Sequence, residues 1–343
     1  QYEDLLNYKV LNKYLLEKLN STSKTYIFLD EIQYVMNFEK VIASLRATQD
    51  VSIFITGSSS SILSGELKTL IGGRYVSFTI QPLSFNEFCI LEKYDQTSNL
   101  ETAFTRYMTW GGLPLVYQYQ NENGIISYLN DVFESIVVKD VMSRMEKKNY
   151  DLLKKVIEYL FDNSGKTFSI NTVYESLFTD DKSVQKESVK DAVKLILDAN
   201  VVSECKRYDL KGKSILTRLD KYYVTDLGLK SVLIRRKDDI GFSIETIIYN
   251  ELKSRGYQCY VGKTYKGEVD FVVFYGTKKC FIQVAYLLAT DEVINREFGA
   301  FDPIKDQSPK FVLSMDKLDF SRNGITHINI IDFLMFKKDI FFT

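Results

Sequence analysis

The sequence predicts an α/β protein: a parallel sheet opens the chain, a mostly helical stretch follows, and a second α/β unit closes it. Three observations carry this. Two apolar strand-like runs, 25–29 and 51–56, flank helix-forming sequence over 37–46, the crossover that parallel strands need. Helical periodicity dominates from residue 84 to about 199, with strand-like pieces after it. From residue 242 onward a helix pattern is followed by strand patterns at 257–261, 268–274, 280–286 and 310–314, with a further helix at 291–298.

Taken in order, residues 3–19 place Leu5, Leu6, Val10, Leu11, Leu15, Leu16 and Leu19 on one helical stripe. The run Thr25-Tyr26-Ile27-Phe28-Leu29 reads as a buried strand ending in Asp30-Glu31. In open α/β sheets, ligands bind at that end. Two adjacent acids there suit the Walker B pattern of a P-loop ATPase. Asp30 would hold a hydrated Mg²⁺ beside the phosphates of ATP, and Glu31 would polarise the attacking water. The other reading is a plain strand end with a solvated turn. The second strand runs into Thr56-Gly57-Ser58, where a hydroxyl could sense the γ-phosphate. Residues 58–70 read as a helix ended by Gly72-Gly73, and 74–80 as a third strand, broken at Pro82. A P-loop needs G-x-x-x-x-G-K-[ST] between strand and helix. The triplet Gly165-Lys166-Thr167 has Leu160 where the first glycine belongs and follows a helix pattern, so it reads as a turn. With Gln1 at the start, the expectation is a fragment whose phosphate-binding loop lies upstream.

Ser84 with Glu87 has the form of a capping box. Residues 83–150 read as a helical, lid-like region, interrupted by Gly111-Gly112-Leu113-Pro114 and closing with a long helix over 125–145. Residues 151–239 read as a winged helix: helices over 151–161, 169–178 and 184–199, then short strands around the turn Asp209-Leu210-Lys211-Gly212. Within 203–237, ten basic side chains stand against four acids. Lys206, Arg207, Lys211, Lys213 and Arg218 are the candidate phosphate contacts for DNA. The alternative is a winged helix that serves as a packing module.

The last stretch, 240–343, is laid out like a PD-(D/E)XK nuclease. Glu245 lies on a helix, Asp270 on a strand, and Gln283-Val284-Ala285 stand where E-x-K belongs. Glu245, Asp270 and the amide oxygen of Gln283 are the candidate Mg²⁺ ligands. Gln283 brings no charge and Ala285 no cation, so hydrolysis is expected to be lost.

Composition narrows the classes. Of 343 residues, 45% are hydrophobic and 26% charged, with a net charge of −1, which describes a globular protein and not a polycation. No run of 18 apolar residues predicts a membrane span, and no signal peptide is read. Four scattered cysteines, without C-x-x-C spacing, read as reduced thiols of a cytoplasmic protein. His327 is the sole histidine, which excludes His-rich zinc sites and HEXXH proteases; its apolar run, 325–330, makes it structural.

Several motifs in fixed order resemble the AAA-type ATPases known as archaeal-ATPase-like proteins: Tyr26 to Gln33, Thr56-Gly57-Ser58, Gly73-Arg74, Gln81 to Phe88 and Gly111 to Pro114. Lys221 to Leu229 and Gly267 to Phe271 resemble that family's C-terminal domain of unknown function. The resemblance implies an AAA+ core over 1–82, a lid, a winged helix and a restriction-endonuclease-like domain. It implies Asp30 as the Mg²⁺-side acid, Glu31 as catalytic base and Thr56 or Ser58 as sensor. Arg74 would touch phosphate in cis, or a neighbouring copy's site in a homo-oligomer, or be an ordinary strand-start arginine. The expected function is ATP binding and hydrolysis by the intact protein, acting on or beside DNA. The alternatives are a non-catalytic DNA- or protein-binding module, or a Mg²⁺-dependent nuclease.

Overall fold

A computed structural model of the protein describes residues 3–19, 24–48, 50–57, 75–94, 99–135, 141–142, 144–145, 149–181, 183–216, 219–234 and 240–341. The expected helix over 58–70, Ser58, Arg74, Arg218 and part of the 125–145 helix lie outside the described residues. The chain divides into two compact units, Gln1–Thr79 with Asp198–Asn200, and the remainder.

In the first unit, β1 (Thr25–Leu29) and β2 (Val51–Ile55) pair in parallel, in register from Thr25↔Val51 to Leu29↔Ile55. The helix Phe38–Thr48 is the crossover between them. Together with the helix Tyr8–Lys18 it covers one face of the sheet, burying Leu11, Ile27, Ile32, Val41, Ile42 and Leu45. Side chains alternate along a strand. Tyr26 and Phe28 therefore point the other way, and Phe28 is 73% exposed. Phe28 stacks on Phe54 with ring centroids 4.9 Å apart. This corrects the expectation of a buried strand: among the described residues, only one face has a helical layer. The third strand expected over 74–80 is also absent from its described part, 75–80. Val76, Phe78 and Ile80 are 78–90% exposed. Strand propensity alone holds no strand without a ladder partner.

In the second unit the capping box forms: Ser84 accepts from the Glu87 amide, and the Glu87 carboxylate accepts from the Ser84 amide, starting the helix Phe85–Leu91. Helices Leu100–Trp110 and Glu122–Phe133 follow, capped by Asn99 and Asn121. Next come helices Tyr150–Asp162, Ile170–Phe178 and Lys186–Asp198. With them stands a small antiparallel sheet in the order β3 (Thr167–Phe168), β7 (Asp220–Val224), β4 (Val202–Cys205). Gly165-Lys166 turns the chain into β3 at Thr167: Gly165 has φ +85° and its amide donates to the Tyr222 carbonyl.

The second sheet has seven strands in the order β12 (Ile325–Asn329), β11 (Lys310–Ser314), β10 (Lys278–Val284), β9 (Glu268–Tyr275), β8 (Gln258–Lys263), β5 (Arg207–Asp209), β6 (Ser214–Ile215). The strands β8–β9–β10 form an antiparallel meander, and β10, β11 and β12 run parallel, the helix Asp291–Gly299 carrying the β10-to-β11 crossover. The hairpin read as a wing does not stay with the small sheet. After β4 the chain passes through Lys206, and β5 pairs in parallel with β8, Arg207↔Val261 to Asp209↔Lys263. Turn signals fix a hairpin but not the sheet that receives it.

All four cysteines are buried and free. His327 is buried in β12, its Nε2 2.8 Å from the Ser314 hydroxyl, and burial lowers its pKa.

Candidate functional site

At the C-terminal end of the two-stranded sheet, the Thr56 hydroxyl donates to the Asp30 carboxylate and accepts from the Glu31 amide at 3.0 Å. The Ile32 amide donates to the Thr56 carbonyl at 3.1 Å, and the Thr56 amide to the Leu29 carbonyl at 3.0 Å. These bonds continue the β1–β2 pairing past its end. They gather Asp30, Glu31 and Thr56 on one lip of the sheet, with Asp30 and Thr56 exposed. Glu31 is left-handed at φ +48°, a conformation that costs a non-glycine residue about 1 kcal/mol. Its carboxylate accepts from the Gln33 side-chain amide. An exposed carboxylate beside a hydroxyl is a hard-oxygen donor set, which fits a hydrated Mg²⁺.

The second cluster lies in the other unit. Glu245, buried on the helix Ile240–Ser254, accepts from Lys221 Nζ at 2.8 Å and from the Tyr223 hydroxyl at 2.6 Å. Lys221 Nζ is also 3.7 Å from the Asp270 carboxylate. Asp270 accepts from the Val284 amide at 2.9 Å, while its own amide donates to the Gln283 side-chain oxygen at 3.2 Å. The Gln283 amide nitrogen donates to Glu297 at 3.0 Å. Burial lowers the Lys221 pKa, but Glu245 and Asp270 more than reverse this, and the net shift is upward. Burial, then the Glu245 charge, raises that of Asp270.

Glu245 and Asp270 flank an ammonium, and Gln283 bonds to the Asp270 amide beside them. Gln283 turns its oxygen to backbone, and Ala285 is buried. Among the described residues, no three His, Cys, Asp or Glu side chains group as metal ligands. This donor set does not fit a divalent ion. Sequence reasoning missed Lys221, Tyr223 and Glu297. The signal for two of them was present: Lys221 and Tyr223 are two apart on one strand and so share a side.

Part of the basic patch is internal. Arg207, read as a phosphate contact, is buried and pairs with Glu268 at 2.7 Å. Lys206 lies 3.9 Å from Glu204. Lys211 and Lys213 are exposed on the β5–β6 turn.

A third convergence joins three sequence motifs at one buried carboxylate. Asp226 caps the helix Leu227–Leu233, accepting from the Leu229 amide at 3.1 Å and from the Gly112 amide at 2.6 Å. The Leu83 amide donates to the Gly112 carbonyl at 2.8 Å. Complete burial raises the Asp226 pKa to about 6, against the pull of the amides of Gly112, Leu229, Gly228 and Leu113. The ordinary value is 3.8. The folded state therefore holds this proton more tightly than the unfolded chain. Asp226 contributes stability that is present in acid and is lost as pH rises between the two values. Thermal unfolding at pH 4 and pH 6.5 should show this component in the wild type and not in Asp226→Asn, on the order of 2 kcal/mol. Equal pH slopes in the two proteins would contradict it.

Residues 1–89 match the family model described as an AAA domain. Residues 101–239 match a domain of unknown function, DUF8612. An uncharacterized protein of Haemophilus influenzae is 31% identical over 339 residues, 98% of this chain and 84% of its own length. The chain belongs to that protein's family. A further relative in it, an uncharacterized protein of Methanocaldococcus jannaschii, is 28% identical over 309 residues, 86% of this chain and 69% of its own. A solved protein from Vibrio cholerae, VC1899, aligns at 10% identity and a TM-score of 0.20, covering 96% of this chain and 92% of that one, too weakly to speak to fold. The AAA match makes residues 1–89 AAA-like and points to a nucleotide-binding, ATPase-like module. No described helix in this family member is long and apolar enough to cross a membrane.

Proposed function

We propose that this chain carries the Walker B half of an ATP-binding, ATP-hydrolysing AAA+ module. The observation that carries the reading is the Asp30–Thr56 hydrogen bond at the tips of two adjacent parallel strands, inside the AAA match. Asp30 and Thr56 would hold Mg²⁺, which when bound neutralises phosphate charge. Glu31 is the general base, and Gln33 holds its carboxylate. Thr56, bonded to Asp30 and to the Glu31 amide, couples the two acids and is the sensor. Ser58 and Arg74 keep their sequence-based assignments as proposals. No G-x-x-x-x-G-K-[ST] occurs in the 343 residues, so the reading requires a phosphate-binding loop from outside them.

In the full-length protein, Glu31→Gln should leave ATP binding intact and lower turnover by about a hundredfold or more. Radiolabelled ATP binding and phosphate release measure the two separately. Unchanged turnover would remove Glu31 from the role.

For the rest of the chain we propose a winged-helix-like module and a non-catalytic, nuclease-like sheet. The first is supported by the order of three helices with the β3–β7–β4 sheet. The second is supported by Glu245 and Asp270 meeting across a helix and a strand. The paired states of Arg207 and Lys221 favour a packing role for β5 and β7, and Lys211 and Lys213 stay exposed on the β5–β6 turn.

A further inference from the structure

We propose that Lys221 is an internal cation standing where a nuclease-type acid pair would otherwise hold a divalent metal, and that it staples β7 to the seven-stranded sheet. Two carboxylates this deeply buried need a positive charge between them. Lys221 and Glu245 keep only 8% and 10% of their side-chain surface, and Asp270 14%. The ammonium is compact, carries three donors and is tethered, so it is always present. A divalent ion would need further oxygen ligands and usually bound water. The Gln283 side-chain oxygen is committed to the Asp270 amide.

A second pair repeats the device. Glu268 and Asp270 are two apart on β9, and Glu268 takes Arg207 at 2.7 Å. Both acids on that side of β9 are thus neutralised from the 203–221 segment. Arg207 and Lys221 act here as internal counter-ions. Tyr223, donating to Glu245 from the same strand as Lys221, fixes the carboxylate that the lysine meets.

The inference rests on the nuclease-like reading of this sheet and is independent of the nucleotide reading. Its test needs neither cleavage nor ATP. Wild-type full-length protein should melt at the same temperature in chelator and in millimolar Mn²⁺. Lys221→Met should melt roughly 10 °C lower in chelator. Mn²⁺ should raise that variant's melting point, because the acid pair is then open. Adding Glu245→Gln and Asp270→Asn should restore stability without metal and abolish the Mn²⁺ response. If Lys221→Met alone fails to fold, recovery of folded protein in the triple variant still supports the proposal. A wild-type Mn²⁺ response that Asp270→Asn removes would overturn it. So would a Lys221→Met protein as stable as wild type, or a triple variant no better than the single one. A Lys221→Met protein that melts lower yet ignores Mn²⁺ would sink the nuclease-like reading and leave the ion pair standing.

Discussion

Replacing Gly111 by alanine is expected to destabilise the protein by about 3 kcal/mol or more, among the largest losses available to a single methyl group. Two costs combine. Gly111 has φ +76°, where a side chain is strained. Its Cβ would also lie 2.6 Å from Cγ of Asp226, closer still to both carboxylate oxygens. That carboxylate cannot swing away, since it holds the amides of Gly112 and Leu229. Gly228 sits in the same knot, with a Cβ there 2.7 Å from the Trp110 carbonyl carbon. Gly241 provides the control. It lies in the helix Ile240–Ser254 with no heavy atom within 4 Å of a Cβ. Gly241→Ala should stabilise by roughly half a kcal/mol. Denaturant midpoints of the two variants should move in opposite directions. A Gly111→Ala protein of wild-type stability would show that the three motifs do not depend on this close approach.

Arg255→Ala is the second large effect, about 3–5 kcal/mol. The side chain keeps 5% of its surface, and its guanidinium donates to Glu251 at 2.7 Å, to Asp339 at 3.3 Å and to the Phe333 carbonyl at 2.7 Å. It lies 4.2 Å and 4.1 Å from the ring centres of Phe333 and Phe336. Truncation leaves Glu251 buried without its cation, and burial already raises its pKa. Arg255→Lys should recover only part of the loss, because an ammonium cannot reproduce a fork set between two rings. A melting point within a few degrees of wild type for Arg255→Ala would refute this.

What the sequence made legible was local. The parallel pair Thr25–Leu29 and Val51–Ile55, the capping box at Ser84 and Glu87, and the strands around Asp270 follow from propensity, spacing and turn chemistry. The Asp30-Glu31 step and the Thr56 hydroxyl were readable because the strand ends adjoin. What was hidden depends on distant partners. Nothing near Lys221 announces Glu245 or Asp270, and a cluster of Lys and Arg reads as a surface until its counter-charges are found. The exposed aromatic face at Phe28 and Phe54 was obscured for a similar reason: strand residues of high propensity look alike whether or not a layer covers them. The 75–80 segment shows the same gap between inclination and partnership.

The single-residue step at Lys206 has a consequence for how the chain is made. The strand on one side of it belongs to a sheet nearly complete by residue 224, and the strand on the other side waits for an edge that begins at residue 258. During synthesis the earlier piece emerges with one arm held out and nothing to grasp. Completion must then be concerted, and the two sheets should melt together as one cooperative body.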